Sequence, residues 1–270
     1  MIRDLSTTVM VEALEANMAA FWAGYGRAPR AEIYEGEDLL RVVTGVSEPL
    51  FNGVFRASLM PDAVDGTIDE TLARVASRRV PMFWWVGPCT RPADLGTHLE
   101  QHGFAHAGNS PAMAVDLRTL PEEPSRIPGL AMAPVEDLET LRTWARVAAI
   151  GTEFPERFHD ELVALEVGVG LERHGGRLYT RYVAYQDGEA VGTSALLLHA
   201  GVAGIFAVAT VPRARGRGIG TVLTLAPLLE ARRQGYRVGT LQSSPMGFPV
   251  YRRLGFREVC NPIEMYLWSP

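Results

Sequence analysis

The chain has 270 residues, 47% of them hydrophobic and 21% charged, with a formal net charge of −5 and two cysteines. That is enough chain for two small domains with a core each, and the acidic balance argues against a nucleic-acid partner, which calls for a broadly basic face. No run approaches 18 uninterrupted apolar residues and no basic start precedes an apolar leader, so no membrane partner and a cytoplasmic location are expected; Cys89 and Cys260 stand in no metal-ligand spacing, and no metal is expected.

In the first half, the run Pro81 to Pro88 (PMFWWVGP) places Trp84 and Trp85 on opposite faces of a strand, so at least one belongs to a core. Leu99-Glu100-Gln101-His102-Gly103-Phe104 follows, then an apolar strand with Met113. Proline and charge concentrate from Leu120 to Gly129, which reads as a linker. Beyond it the pattern predicts a strand at 130–135, helices at 136–150 and 156–167, and strands at 179–187, 190–199 and 202–211. The dipeptides Asp187-Gly188 and Ala200-Gly201 join the last three as antiparallel hairpins. A helix at 218–234, a strand at 238–244, a short helix with Tyr251 and an apolar strand with Met265 complete the chain.

The segment between the strand at 202–211 and the helix at 218–234 reads Arg215-Gly216-Arg217-Gly218-Ile219-Gly220-Thr221. A helix's first turn has N–H groups without intrahelical partners and a partial positive charge, so it stabilises an anion. Glycines at 216, 218 and 220 remove the Cβ atoms that would hold a diphosphate away, and two arginines add charge. A dinucleotide fingerprint would need a glycine at 221, where Thr221 stands; a Walker loop needs a lysine, and the chain has none. From Arg213 to Arg257 nine arginines face one acid, Glu230, a local +8 within a chain of net charge −5. Such a patch suits a small polyanion, although part of it, Arg232 and Arg233 above all, fits a solvated helix face.

With Arg215, Gly218 and Gly220 in an R-x-x-G-x-G pattern after a strand, the loop resembles the acyl-CoA pyrophosphate loop of the GNAT N-acetyltransferase superfamily. Tyr251-Arg252-Arg253-Leu254-Gly255-Phe256 resembles the Y-x-x-x-G-F element that closes that domain. The resemblance covers the second half and implies acetyl-CoA as cosubstrate. It assigns the pyrophosphate to Gly216, Arg217, Gly218, Ile219, Gly220 and Thr221 beside Arg215, and the pantetheine arm to backbone groups of Val208, Ala209 and Thr210. Ser244 stands where many relatives have an asparagine touching the cofactor.

The first half resembles a worn copy. Leu99 to Phe104 matches Tyr251 to Phe256, and from each phenylalanine an asparagine follows at plus five (Asn109, Asn261) and a methionine at plus nine (Met113, Met265). Ile68 to Arg79 takes the place of the cofactor helix. The segment before it, Ser58 to Gly66, has no glycine-rich loop and carries Asp62 and Asp65 where phosphate would sit. The expectation is an α/β (α+β) chain of two tandem GNAT-like domains, each a mixed, mainly antiparallel sheet flanked by helices. A degenerate domain without a cofactor loop would span 1–120, a linker 121–129, and an acetyl-CoA-binding catalytic domain 130–270.

The resemblance places Tyr251 beside the cofactor sulfur. A phenol near 10 can protonate a thiolate whose thiol is near 8.5, which makes Tyr251 the expected general acid. The glutamate that many relatives carry on the strand before the loop is missing, since 202–211 holds no acid. At pH ~7.5 an alkylamine near 10.4 is only about 0.1% neutral and an α-amine near 7.8 roughly a third neutral, so the missing base leans toward low-pKa amines. Glu153, Phe154 and His159 are the expected acceptor-side residues, with Glu153 or His159 as base or amine anchor, and the first half supplies the facing wall. The function expected is acetyl transfer to a small-molecule amine. The alternatives are acetylation of a protein N-terminus or lysine, and a non-catalytic acyl-CoA sensor. The oligomeric state stays open to a homodimer.

Overall fold

A computed structural model describes residues 1–2, 6–171, 178–260 and 262–270. In chain order the elements are α1 (Thr7–Ala23), β1 (Glu32–Glu35), β2 (Leu40–Val43), β3 (Asn52–Phe55), α2 (Val64–Arg78), β4 (Met82–Val86), α3 (Leu95–Gln101), β5 (Ala105–Ser110) and β6 (Ala112–Asp116). The second half adds β7 (Leu130–Pro134), α4 (Leu138–Gly151), α5 (His159–Val169), β8 (Tyr179–Gln186), β9 (Glu189–His199), β10 (Val202–Thr210), α6 (Ile219–Arg233), β11 (Val238–Gln242), α7 (Phe248–Arg253), β12 (Arg257–Glu258) and β13 (Ile263–Trp268).

Among the described residues the strands form two mixed sheets with the order β1-β2-β3-β4-β13-β5 in one and β12-β6-β11-β10-β9-β8-β7 in the other. The expected fold class is observed, and the halves repeat one plan. In each, two or three antiparallel strands lead into a strand that pairs parallel with the next after a crossover helix: β3 with β4 across α2, and β10 with β11 across α6. The two hairpins turn at Asp187-Gly188 and Ala200-Gly201, where all four residues have positive φ, the backbone that a two-residue turn between twisted strands requires.

The closing strands are exchanged. β6, from before the proline-rich segment, pairs with β11 and β12; β13, at the chain's end, pairs with β4 and β5. Met113 and Met265 lie on these two strands, so each sheet takes one strand from the other side of residues 121–129. Asn261 of the internal match lies outside the described residues. At the place of the cofactor loop the first half has a turn at Pro61–Ala63, and Asp65 at the start of α2 pairs with His98 at 3.0 Å. Leu99, at the tyrosine's place, is fully buried.

Helix α1 joins the sheets. Asn17 donates to the carbonyls of Leu197 and His199 at the end of β9, and the Phe21 ring stacks on Phe206 of β10 at 4.0 Å with 5° between planes. One apolar cluster therefore spans both halves, running from Leu14, Met18 and Phe21 to Trp85 on β4 and to Trp144, Leu162 and Ala195.

Candidate active site

Pairing between β10 and β11 ends at Gly204 opposite Thr240, and the register of β10 against β9 breaks between Phe206 and Ala209. The break is a bulge: Ala207 takes a φ of +49°, and its carbonyl accepts the Thr193 hydroxyl at 2.9 Å. A bulge bends the strand away from its neighbour, and here it opens a wedge at residues 207–210.

The loop that follows has the conformation its glycines allow. Gly216 and Gly218 have φ of +75° and +81°, and α6 starts immediately after Gly218; the Thr221 N–H turns back to the Gly218 carbonyl at 3.0 Å, and the N–H groups of Ile219 and Gly220 have no intrahelical acceptor. A Cβ at Gly216 would meet nothing within 4 Å, and one at Gly218 only the Ile127 Cδ1 at 3.6 Å. The glycines thus leave room for a ligand rather than for protein.

Two cavities meet at the wedge. The first, of about 720 Å³, is lined by Thr210, Arg215, Gly216, Gly218, Ile219, Gly220 and Thr221 on one side and by Ser244 to Gly247, Tyr251 and Arg253 on the other. The second, of about 430 Å³, runs between the halves beneath Phe154 and Trp85. Thr152, Val208, Ser244, Pro245 and Tyr251 line both.

Several expected residues sit differently from the sequence reading. Arg215 reaches the cavity wall, but its guanidinium donates to the carbonyls of Thr210 at 3.1 Å and Gly151 at 2.9 Å and pairs with Glu153 at 3.2 Å; it ties the end of α4 to the end of β10. Glu153 consequently lines the first cavity and not the second one. His159 lines neither, since its Nε2 lies 2.7 Å from the Phe154 carbonyl and holds that turn in place. Phe154 does line the second cavity. Ala209 is buried against Gly151, and Arg217 stands exposed beside the loop. The Ser244 hydroxyl accepts the Gly247 N–H at 3.1 Å and so shapes the turn into α7.

Arg213, Arg232, Arg233 and Arg237 pair with Glu189, Glu122, Glu230 and Asp116. Most of the local positive charge is therefore held in ion pairs, and Arg253, two residues past Tyr251, lines the first cavity. Tyr251 is 8% exposed, and burial pushes its phenol up to about 12 against a weaker opposing hydrogen bond with Thr224. It stays protonated through the neutral range.

The sequence reading missed a buried ion pair at the second cavity. Glu166 of α5 lines it, accepts the Tyr25 hydroxyl at 2.6 Å and pairs with Arg181 of β8 at 2.8 Å. The signal was an acid in the same helical stripe as Leu162 and Val169, and an arginine at an inward position between Tyr179 and Val183.

Residues 177–258 match the family model described as Acetyltransferase (GNAT) domain. The chain carries a GNAT domain. The matched span holds the wedge, the glycine loop, α6 and Tyr251, and the family uses acetyl-CoA. Among solved structures, a GCN5-related N-acetyltransferase from Kribbella flavida shares 17% identity at a TM-score of 0.66, covering 100% of this chain and 97% of that one. A tandem GNAT protein from the clavulanic acid biosynthesis pathway, described as without AcCoA, shares 13% at 0.62, covering 99% and 95%. A GCN5-related N-acetyltransferase from Sphaerobacter thermophilus shares 18% at 0.58, covering 88% and 76%. These likenesses establish the tandem GNAT-like fold over the whole chain. No curated protein matches it in sequence.

Proposed function

We propose that the GNAT domain of this chain transfers an acetyl group from acetyl-CoA to the amine of a small molecule. The observation that carries this reading is the meeting of the two cavities at Val208, Ser244 and Tyr251. The loop would hold the pyrophosphate through the first N–H groups of α6, with Arg217 and Arg253 for its charge, and the 208–210 backbone would hold the pantetheine arm. Acetyl-CoA, when bound, supplies a thioester whose C–S bond is exchanged for an amide C–N bond while one proton passes from the amine nitrogen to the sulfur.

On this reading Tyr251, which lines both cavities, carries that proton at its Oη. Because burial holds the phenol's proton well above the ordinary range, passing it to a thiolate whose thiol is near 8.5 is uphill if it happens alone. The phenol therefore has to gain the nitrogen's proton as it gives up its own. A relay of this kind needs no glutamate on β10, provided that the amine arrives neutral.

Calorimetry of the full chain should show acetyl-CoA binding, and a panel of amines should reveal thiol release. In Tyr251→Phe, kcat should fall by about 100-fold with acetyl-CoA affinity retained. Unchanged turnover would remove the phenol from the mechanism. Tight acetyl-CoA binding without thiol release on any amine or peptide would make the chain a sensor.

A further inference from the structure

The second cavity has a chemistry of its own. Its walls include the rings of Phe21, Trp22, Tyr25, Phe51, Trp85 and Phe206, five from the first half and one from the second. The rings support one another: Phe21 stacks on Phe206, Trp22 lies 6.2 Å from Trp85, and Tyr25 meets Phe51 edge-on at 5.3 Å. Among the described residues lining it, Glu166 is the one charged side chain, and its carboxylate already holds Arg181 and the Tyr25 hydroxyl. No lining arginine or histidine is placed to receive an anion.

We propose that the acceptor is a primary amine on an aromatic or branched apolar body that bears no carboxylate, phosphate or sugar. The assignment rests on the acetyl-transfer reading and narrows it. An α-amino acid would bury its carboxylate opposite no cation; the polar side chains Asn109, Ser110, Gln242, Ser243 and Ser244 also line the cavity, but a ring of hydroxyl groups or a second ammonium would have to lie against the aromatic walls as well. The same walls account for the missing base. Burial disfavours an ammonium ion by up to about 3–5 pKa units, and a fall of about 3 units from 10.4 leaves roughly half of an alkylamine neutral at pH ~7.5. Selectivity and deprotonation then come from one property, the exclusion of water by aromatic rings. Cavities of this size and polarity ordinarily enclose a small ligand whose few polar atoms meet a few placed groups, here those beside Tyr251.

The test uses the emission of Trp22, Trp85 and Trp144, which line the cavity, in the full chain with CoA present. 2-Phenylethylamine should bind at least about thirtyfold more tightly than phenylalanine, which differs from it by one buried carboxylate, and more tightly than glucosamine. Equal or tighter binding of phenylalanine or glucosamine would overturn the assignment. So would affinity that climbs steadily from acetyl- through butyryl- to hexanoyl-CoA, because the cavity would then belong to the acyl chain. Leu50→Arg, at a half-buried lining position, should move the preference toward phenylalanine. Acetyl-CoA binding with no response to 2-phenylethylamine defeats the acceptor class alone, whereas failure to bind acetyl-CoA defeats the acetyl-transfer reading beneath it.

Discussion

Substituting Gly218 by alanine separates backbone strain from ligand recognition. Gly218 has a φ of +81°, and the added methyl would lie 3.6 Å from Ile127 Cδ1, an ordinary contact. The protein therefore loses only the cost of a left-handed alanine, ~1–2 kcal/mol, which lowers Tm by about 2–8 °C in a chain of this size. CoA loses more. On the proposed reading a diphosphate approaches the first N–H groups of α6 beside this methyl, and forfeiting one charge-assisted hydrogen bond there, ~1.5–3 kcal/mol, should raise Kd by about 10–100-fold. Gly255→Ala is the control: its φ is +93°, its Cβ would sit 3.8 Å from Val115, and it lies outside the cavity at the loop. Calorimetry with CoA and thermal unfolding of the three proteins should give similar Tm losses for both variants and a weakened Kd only for Gly218→Ala. Equal CoA affinity in all three would refute the phosphate cradle, and a far larger Tm loss in Gly218→Ala would make the glycine purely structural.

The Glu166–Arg181 pair, with side chains 6% and 2% exposed, should behave as a buried ion pair. Arg181→Met alone should cost about 3–5 kcal/mol in chemical denaturation, and adding Glu166→Leu should recover much of it; additive losses would contradict the coupling. Because β6 and β13 are exchanged, cleavage within the exposed segment 121–126 should leave two fragments that co-elute on size exclusion and part only in denaturant, whereas early separation would disprove the exchange. Burial pushes the Cys89 thiol up to about 12 and the Cys260 thiol to about 11, with Glu15 adding to both. Both stay neutral thiols at pH 8. Iodoacetamide should therefore label the native chain at least about 100-fold more slowly than free cysteine, and rapid labelling of either residue would contradict the burial.

Much of the second half was legible because its signals are local. The Asp187-Gly188 and Ala200-Gly201 turns, the left-handed glycines before α6 and the alternation in β8 to β10 each depend on residues within a few positions of one another. Arg215 shows where such reading ends. Its place in the motif suggests a phosphate ligand, but the nearby Gly151 carbonyl and Glu153 claim its guanidinium, and nothing local in 213–221 announces a partner 62 residues earlier. Glu166 and Arg181 are a similar case: each is an oddity in its own apolar pattern, and only the packing of α5 on β8 turns the two into a pair.

By itself the sequence determined the two-fold plan, the loop and the tyrosine, since glycine's access to positive φ and a helix's unpaired N–H groups are properties of short segments. Tertiary structure alone decided that the closing strands change places and that aromatic side chains from both halves enclose one cavity beyond Tyr251. A strand's pattern states which face is buried, but its backbone groups pair equally well with any neighbour of the right register. The choice of neighbour, and with it the shape of the acceptor site, is made when the two halves pack.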